Sequence, residues 1–451
     1  MTFTEILIMV TQFLLSLSFL IILHEWGHYY PAKLFKIKVE KFYLFFDAFG
    51  KSLFKKKIGD TVYGIGWLPL GGYVKIAGMI DESMDKEQMA EEPKEWEFRS
   101  KPAWQRLIIM LGGVTVNFVL AYLIFVFVSF NWGDKFLAND QVKDGIVVPE
   151  FVEEQIGLKS GDKIVSIDGE VPVKFSDVRS SLLFGNEIVV NRNNETKTLQ
   201  IPEDFLGNLV DSDAKSLIGL PMPVVVSKID KDSHNKTSDL KKNDIITAIN
   251  GLKANTANIE TLLKSNASKE VELALMNKNK EYRTVTASVN AEGKLGIVRT
   301  TLNSDDLDRL GYYKLSVKNY SFLESFGAGG EKFIGKFKLM IKNIKAIGNP
   351  KTGAYKGVGS FVSIAKIFPT TWDWQFFWNI TAFLSIMLGV LNLLPIPALD
   401  GGHAVFVLYE MITGKKPGDK FLEYAQMVGF VLMMALFVYA FGNDIYRHFI
   451  K

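Results

Sequence analysis

Long uncharged stretches alternate with polar segments along this chain of 451 residues. Four stretches of at least 18 residues carry no charged side chain, namely residues 6–23, 107–130, 374–399 and 424–443. An α-helix needs about 20 such residues to cross a bilayer core of about 30 Å. The pattern therefore predicts a polytopic α-helical membrane protein with four transmembrane helices and a long polar insert between the second and third.

Apolar residues also recur at helical spacing from residue 322 to residue 344, near the end of the insert, with lysines at the intervening positions. This pattern predicts an amphipathic helix. Three placements of that helix fit the sequence: packed on a neighbouring β-rich domain, lying on the membrane surface, or covering the entrance to a site.

Strand-like alternation appears in the loop that follows the first span. Residues 62–75 alternate aromatic and aliphatic side chains around Gly71 and Gly72, which predicts a β-hairpin.

A weak internal repeat lies in the insert, where residues 157–169 resemble residues 239–251. Each copy has a turn, an alternating strand and an Asp-Gly or Asn-Gly turn. Gly161 and Asn243 occupy equivalent positions, and both residue types tolerate the left-handed backbone that a tight turn requires. Two similar β-rich domains are the simplest interpretation.

The overall composition, 48% hydrophobic and 22% charged, resembles that of an ordinary globular enzyme. A net charge of +3 gives no support for nucleic-acid binding. The chain has no cysteine, which excludes thiolate metal sites, cysteine nucleophiles and disulfides. Residues 1–5 lack positive charge, so we expect no cleaved signal peptide.

Lysine and arginine are concentrated in two of the loops that connect the spans. Residues 29–106 carry many, and Lys415, Lys416 and Lys420 lie between the third and fourth spans, whereas residues 1–5 carry none. The positive-inside rule places both loops in the cytoplasm and both termini outside. The insert then lies outside, because large domains translocate largely regardless of charge.

The pentapeptide HEWGH occupies residues 24–28, at the end of the first uncharged stretch. Positions i and i+4 share one helix face, so His24 and His28 can reach one metal ion, and zinc suits two imidazoles. Glu25 lies about 100° round the helix and can reach a zinc-bound water without being a ligand. Ionisable residues in a membrane are costly and functional by default, which favours a metal site over coincidence.

A catalytic zinc site needs a third protein ligand and an open position. Asp400 is the only carboxylate from residue 374 to residue 409, and it follows Pro395 and Pro397, which break the third span. Broken backbone is tolerated at membrane depth where it lines a cavity. Asp400 is the candidate third ligand, and its charge together with that of Glu25 balances Zn²⁺. Its alternative role is a helix N-cap.

These motifs together resemble the site-2 protease family, and in particular its bacterial RseP type. The resemblance extends over nearly the whole chain and includes HEWGH at 24–28, PLGGYVK at 69–75, FRSKPAWQR at 98–106, GGVTVNF at 112–118 and NLLPIPALDGGH at 392–403. It implies an intramembrane zinc metalloprotease with one Zn²⁺ per chain. His24, His28 and Asp400 match the family's metal ligands, and Glu25 matches its catalytic glutamate.

The resemblance also implies that the insert contains two PDZ-like α+β domains and that the first loop contains a membrane-associated β-hairpin. The expected organisation is a span with HExxH at 1–30, a cytoplasmic loop with the hairpin at 31–106, a span at 107–131, PDZ-like domains at 140–216 and 217–300, an amphipathic helical connector at 301–373, a span with the LDG motif at 374–403 and a span at 421–443. We expect the insert to control access, either by excluding substrates with large outer domains or by binding peptide.

The substrates implied by the resemblance are single-span membrane proteins already shortened by an upstream site-1-type protease, of the anti-sigma-factor or remnant-signal-peptide type. The implied location is the bacterial cytoplasmic (inner) membrane, with the lipid bilayer as a partner, the PDZ-like domains outside and the active site toward the cytoplasm. The candidate substrate-binding residues are Asn392, Gly71, Gly72 and Pro397. Interhelical hydrogen bonding is the alternative role of Asn392.

Three other functions remain open from the sequence. An HtpX-like membrane protease with a cytosolic site needs a glutamate ligand on a soluble helix, and the best-placed carboxylate here lies in the membrane. A non-enzymatic PDZ scaffold does not need Glu25. A metal transporter is expected to show paired repeats of broken helices, and none is visible in the sequence.

Overall fold

The computed structural model describes residues 2–69, 71–79, 92–212, 214, 216–302 and 304–447. Its α-helices are α1 (Phe3–Leu34), α2 (Ala103–Trp132), α3 (Glu150–Ile156), α4 (Phe175–Phe184), α5 (Phe205–Asp211), α6 (Ile259–Lys264), α7 (Ser304–Leu310), α8 (Phe322–Gly348), α9 (Phe361–Ala365), α10 (Trp374–Asn392), α11 (Asp400–Thr413) and α12 (Asp419–Ile445). Its strands are β1 (Val39–Leu44), β2 (Ser52–Ile58), β3 (Thr61–Gly66), β4 (Tyr73–Ile76), β5 (Asp134–Leu137), β6 (Lys163–Ile167), β7 (Glu187–Arg192), β8 (Glu195–Gln200), β9 (Val224–Ile229), β10 (Ile245–Ile249), β11 (Leu252–Lys253), β12 (Glu270–Met276), β13 (Tyr282–Ser288), β14 (Ile297–Thr300) and β15 (Leu315–Lys318).

The chain divides into a helical unit and a β-rich unit. The helical unit comprises Met1–Gly133, Asn319–Ile344 and Val358–Lys451, and the β-rich unit comprises Asp134–Lys318 and Lys345–Gly357. Because the β-rich unit is inserted between the second and third apolar helices, it corresponds to the polar insert that the sequence predicts.

Four helices among the described residues are long and apolar enough to cross a membrane: α1, α2, α10 and the part of α12 from residue 420 to residue 445. This confirms the predicted number of spans. The first helix is longer than the uncharged stretch, because α1 continues past HEWGH to Leu34. The HEWGH pentapeptide therefore lies inside a continuous helix, whose turns hold both histidines in fixed positions.

Local side-chain chemistry sets the ends of these helices. At the start of α1, the Thr2 hydroxyl accepts a hydrogen bond from the Glu5 amide, and the Glu5 carboxylate accepts one from the Thr2 amide. This reciprocal capping box satisfies amides that have no partner within the helix. At the start of α10, the Asp373 carboxylate accepts from the Phe376 amide. The helix α2 ends at Gly133, whose φ of 62° suits glycine.

A four-stranded sheet in the helical unit has the order β2-β3-β1-β4. The predicted hairpin at residues 62–75 is wrong, because β3 and β4 do not pair and β1 lies between them, parallel to β3 and antiparallel to β4. The tight hairpin instead joins β2 to β3, with Ile58 opposite Thr61. Alternation identified two of the strands but could not show that residues 39–44 separate them.

The sheet is attached to the spans through a shared apolar core. Ala32 at the end of α1, Ile37 and Val39 around the start of β1, and Ile109 in α2 are all at most 2% exposed and pack in one cluster. Ile76 of β4 belongs to the same cluster. This packing fixes β4 beside the helix that carries HEWGH.

The amphipathic helix α8 packs against α2 and α10. Phe333 and Phe337 meet Phe118 of α2 edge to face, with ring centroids 6.2 Å and 5.7 Å apart. Gly329 approaches α2 so closely that an added Cβ would lie 2.6 Å from Val126 Cγ2. From residue 333 to residue 344 apolar residues of α8 thus pack against membrane-span helices, whereas Phe322 and Leu323 at its start are exposed. None of the three predicted alternatives named this placement.

The described part of the β-rich unit contains three clusters of buried apolar residues, one of which packs the second sheet against residues 302–313. The other two form the cores of separate sheets. One spans residues 142–218 and includes the sheet β6-β7-β8, and the other spans residues 224–295 and includes the sheet β13-β12-β10-β9-β14, with β11 paired to β10. Gly161 and Asn243 have φ of 96° and 72°, which confirms the predicted left-handed turns before β6 and β10. In addition, β5 pairs with β15.

Candidate active site

Glycines allow the helix that carries HEWGH to approach α2 at backbone distance. A Cβ added to Gly27 would lie 2.5 Å from the Gly112 carbonyl oxygen, and one added to Gly112 would lie 2.0 Å from the Gly27 carbonyl oxygen. Small residues at such crossings let membrane helices pack through their backbones. This crossing buries the His24 and His28 side chains between the two helices.

Three potential metal ligands converge at this crossing. His24 Nε2, His28 Nε2 and Asp400 Oδ2 are each 3.3 Å from the other two. Among the described residues, they form the one cluster of three or more such side chains close enough to hold an ion. The structure therefore brings together the three ligands that the sequence predicts, although Asp400 lies 372 residues after His28.

The size of this triangle fits a tetrahedral zinc ion. With metal–ligand bonds of about 2.0–2.1 Å, the edges of a regular tetrahedron are about 3.3–3.4 Å long. Asp400 Oδ2 is buried and has no hydrogen-bond partner among the described residues. A buried carboxylate oxygen without a hydrogen bond is costly unless a cation compensates it. Two imidazoles and one carboxylate leave the fourth position of a catalytic zinc site open.

The ring orientations of the two histidines are fixed from α2. His28 Nδ1 lies 2.8 Å from the Ile109 carbonyl oxygen, and His24 Nδ1 lies 3.0 Å from the Asn117 side-chain amide. Gly113 lies directly behind both rings, where an added Cβ would be 2.4 Å from His28 Nε2. Gly113 lies in the GGVTVNF motif at 112–118, but the sequence assigned it no role at the site, because a glycine in an apolar span is not in itself a functional signal.

A break in the helix at the end of the third span places Asp400 beside the two histidines. The helix α10 ends at Asn392, and α11 begins at Asp400 after a turn in which Ala398 has a φ of 93°, a conformation rare for a residue with a side chain. Gly401 and Gly402 pack directly onto the backbone of this turn. Asn392 Nδ2 lies 3.4 Å from His24 Nε2, so the predicted substrate-binding amide is beside the candidate metal ligands.

A cavity of about 440 Å³ opens onto the three ligands. Glu25 lines it, as do Gly72 and the whole of β4. A Cβ added to Gly72 would lie 3.6 Å from Glu25 Cγ, so the start of β4 lies against this part of α1. Among the described strands β4 pairs only with β1, so an open strand edge and a carboxylate share the wall of the cavity.

Two of the predicted substrate-binding residues do not line this cavity. Gly71 faces the Phe46 ring, with an added Cβ 2.9 Å from Phe46 Cε2. Pro397 lies beneath Gly402 and Gly429, whose added Cβ atoms would overlap its backbone.

The sequence pattern of peptidase family M50 matches residues 12–436 of the chain. The chain belongs to peptidase family M50. This M50 peptidase is 28% identical to the Regulator of sigma E protease of Haemophilus influenzae, over 97% of the chain and 98% of that protein. It is also 27% identical to a protein of Thermotoga maritima named "Putative zinc metalloprotease", over 97% and 99% of the two chains. The protein is therefore an intramembrane zinc metalloprotease, and the scaffold and transporter alternatives are not favoured.

Lys41, Asp47 and Tyr73 form a polar cluster in the cavity wall of this M50 peptidase, which the sequence did not predict. The Tyr73 hydroxyl donates to Asp47 Oδ1 at 2.7 Å, and the Lys41 ammonium lies 3.2 Å from Asp47 Oδ2 and 3.1 Å from the Tyr73 hydroxyl. Burial acts to raise the pKa of the Asp47 carboxyl, but the hydrogen bonds from Tyr73 and Lys41 outweigh it and hold the pKa below its ordinary value. The Tyr73 ring also stacks between Tyr43 and Phe46.

A buried glutamine on the fourth span of the M50 peptidase also lines the cavity. Gln426 is 3% exposed, although α12 exposes most of its apolar side chains. Gln426, Lys41 and Asp47 lie outside the motifs that carry the family resemblance, and Tyr73 lies within PLGGYVK at 69–75 without a role that the motif reveals. The one signal in the sequence was that Gln426 and Asp47 are polar residues among apolar ones, and without the fold such residues could equally well be exposed or line a site.

Proposed function

We propose that His24, His28 and Asp400 hold a single zinc ion and that Glu25 is the general base of peptide-bond hydrolysis. The observation that carries the proposal is the 3.3 Å triangle of ligand atoms at a cavity that Glu25 also lines. A zinc ion bound there supplies Lewis acidity, which acidifies water and polarises a carbonyl group. The charges of Asp400, Glu25 and Zn²⁺ sum to zero, which eases their burial at membrane depth.

Glu25 has the position that proton transfer requires. It follows His24 directly on α1, so it reaches the cavity without occupying a ligand position. Its carboxylate accepts the proton of the attacking water and afterwards delivers it to the leaving amine. Asn392, whose amide lies 3.4 Å from His24 Nε2, donates a hydrogen bond to the carbonyl oxygen as negative charge develops there.

The open edge of β4 is the proposed docking site for the substrate backbone. A transmembrane helix uses all its amide groups in its own hydrogen bonds, so a scissile segment must first become extended. An extended segment that pairs with β4 recovers backbone hydrogen bonds as an added strand. In this arrangement Gly72 permits close approach at Glu25, and Gly71 and Pro397 maintain the shape of the wall.

The proposed substrates are single-span membrane proteins that an upstream site-1-type protease has already shortened. This follows the resemblance to site-2 proteases, and the name of the Haemophilus influenzae relative associates that protein with sigma-factor regulation. Anti-sigma factors and remnant signal peptides are the two substrate types. We place the enzyme in the bacterial cytoplasmic membrane, with HEWGH toward the cytoplasm and the two PDZ-like domains outside, because the lysine-rich loops face inward.

The test is cleavage, in membranes, of a single-span reporter that lacks an outer domain. Wild type is compared with Glu25→Gln, each with and without a zinc chelator. The matched control is Glu5→Gln at the other end of the same helix, because a capping box accepts glutamine as well as glutamate. Wild type and Glu5→Gln are expected to cleave unless chelated, and Glu25→Gln is not. Equal cleavage by Glu25→Gln and wild type would show that Glu25 is not the general base.

The role of the PDZ-like domains is tested separately by deleting residues 140–300. Faster cleavage of a substrate that retains its outer domain supports size exclusion as their function. Loss of cleavage of the shortened reporter supports peptide docking.

A further inference from the structure

Asn117 of α2 is a fully buried amide that contacts a proposed metal ligand. Its side-chain nitrogen lies 3.0 Å from His24 Nδ1, the ring nitrogen turned away from the ligand triangle. Its side-chain oxygen is buried and has no hydrogen-bond partner among the described residues. Asparagine in membrane helices commonly links helices to one another, so that role must be considered first.

The main chain of Asn117 already makes the interhelical link. The Ser385 hydroxyl, on α10, donates to the Asn117 carbonyl oxygen at 2.8 Å, and both residues are completely buried. This hydrogen bond joins α10 to α2 whatever side chain is present at position 117. The amide side chain is thus left for a contact within the site.

Zinc ligation decides which end of the amide must face His24. A neutral imidazole that gives its Nε2 lone pair to a metal carries its proton on Nδ1. That N–H group needs an acceptor, and the NH₂ end of an amide is a second donor. A 180° rotation of the amide exchanges its two ends and places the oxygen within hydrogen-bond distance of Nδ1. The end of the amide that faces away from His24 has no described partner in either orientation. Whether His24 Nδ1 carries a proton therefore decides which orientation the amide takes.

The second histidine provides an internal comparison. His28 Nδ1 lies 2.8 Å from the Ile109 carbonyl oxygen, which can only accept. Ile109 and Asn117 both lie on α2, two helical turns apart. Once the Asn117 amide is rotated, the same helix presents one oxygen to each histidine, from the main chain for His28 and from a side chain for His24.

We infer that Asn117 is a positioning residue, whose side-chain oxygen accepts the Nδ1 proton of His24 and so directs Nε2 to the metal. The inference rests on the metal site proposed above. Partners of this kind typically change metal affinity about 10- to 100-fold when removed. An acceptor is what the role requires, so Asn117→Asp retains it, whereas Asn117→Leu, with a similar volume, removes it.

The test measures zinc affinity of the purified full-length protein by competition with a chromogenic chelator. Asn117→Leu is expected to bind zinc about 10- to 100-fold more weakly than wild type, and Asn117→Asp is expected to recover most of the loss. Ser385→Ala is the matched control, because it deletes the interhelical hydrogen bond at the same residue without touching His24. If Asn117→Leu does not fold, Asn117→Ala replaces it.

Two outcomes separate this inference from the metal site on which it rests. Unchanged zinc affinity in Asn117→Leu, with lower thermal stability, would show that the amide only links helices and would overturn the inference alone. His28→Ala and Asp400→Ala are measured in parallel. Zinc binding that survives both of those changes would overturn the proposed metal site itself.

Discussion

Replacing Gly113 by alanine tests the geometry of the site with a single carbon atom. The new Cβ would lie 2.4 Å from His28 Nε2 and 2.6 Å from His24 Cε1, where ordinary contacts begin at 3.4 Å. The His28 ring must therefore retreat by about 1 Å, the difference between 3.4 Å and 2.4 Å. Metal–ligand distances tolerate only about 0.2 Å, so the triangle of ligand atoms cannot be kept.

We expect Gly113→Ala to lose zinc and to cleave the reporter with kcat/KM lowered about 100-fold, which is the typical effect of a 1 Å misplacement. That loss equals about 2.7 kcal/mol of transition-state stabilisation. Alanine favours a helix over glycine by about 1 kcal/mol, so the helix itself is not weakened by this change.

The assay combines zinc content after gel filtration with reporter cleavage in membranes. Gly335→Ala is the matched control, because this glycine also lies in a helix and an added Cβ there meets no atom within 4 Å. Wild-type zinc content and cleavage in Gly113→Ala would refute the argument that α2 supports the histidine rings by direct contact.

Three further outcomes follow from the structure. Tyr73→Phe removes the hydrogen bond that links β4 to Asp47, and it should raise KM about tenfold, or about 1.4 kcal/mol, with zinc content unchanged. A fall in kcat alone would contradict docking of the substrate at β4. Gly329→Ala drives a Cβ against Val126 and should destabilise the docked α8 by about 1–3 kcal/mol in thermal unfolding, whereas Gly335→Ala should not. Chelation should abolish cleavage and added zinc should restore it; full activity in the stripped enzyme would exclude a metal mechanism.

The membrane spans and the convergence of the three candidate ligands were predictable because each has a rare signal. Uncharged, apolar stretches of this length are uncommon outside membrane-spanning helices, and His24, His28 and Asp400 are ionisable residues where a membrane disfavours them. The chemistry of these residues restricts their role before any contact is known. The continuation of α1 to Leu34 was not predictable, since polar residues past HEWGH gave no indication that the helix goes on.

The sheet and the position of α8 were not predictable, because both depend on partners distant in sequence. Alternation showed that residues 62–75 contain strands but not that β1 separates them. The apolar face of α8 suits a β-rich domain, a lipid surface or a helix bundle equally well, and only the close fit of Gly329 on Val126 distinguishes the last. The contact of Asn117 with His24 was not predictable for the same reason, since the two residues are 93 positions apart in the sequence.

The distribution of ligands along the chain also has a consequence for biosynthesis. The ribosome must add 372 residues between His28 and Asp400, which takes roughly 20 to 75 s at about 5–20 residues per second. During that interval the nascent chain has its first span in the bilayer but lacks the third ligand. A chain that ends before Asp400 lacks one of the three proposed zinc ligands. We therefore expect proteolysis to begin only after the third span has been made.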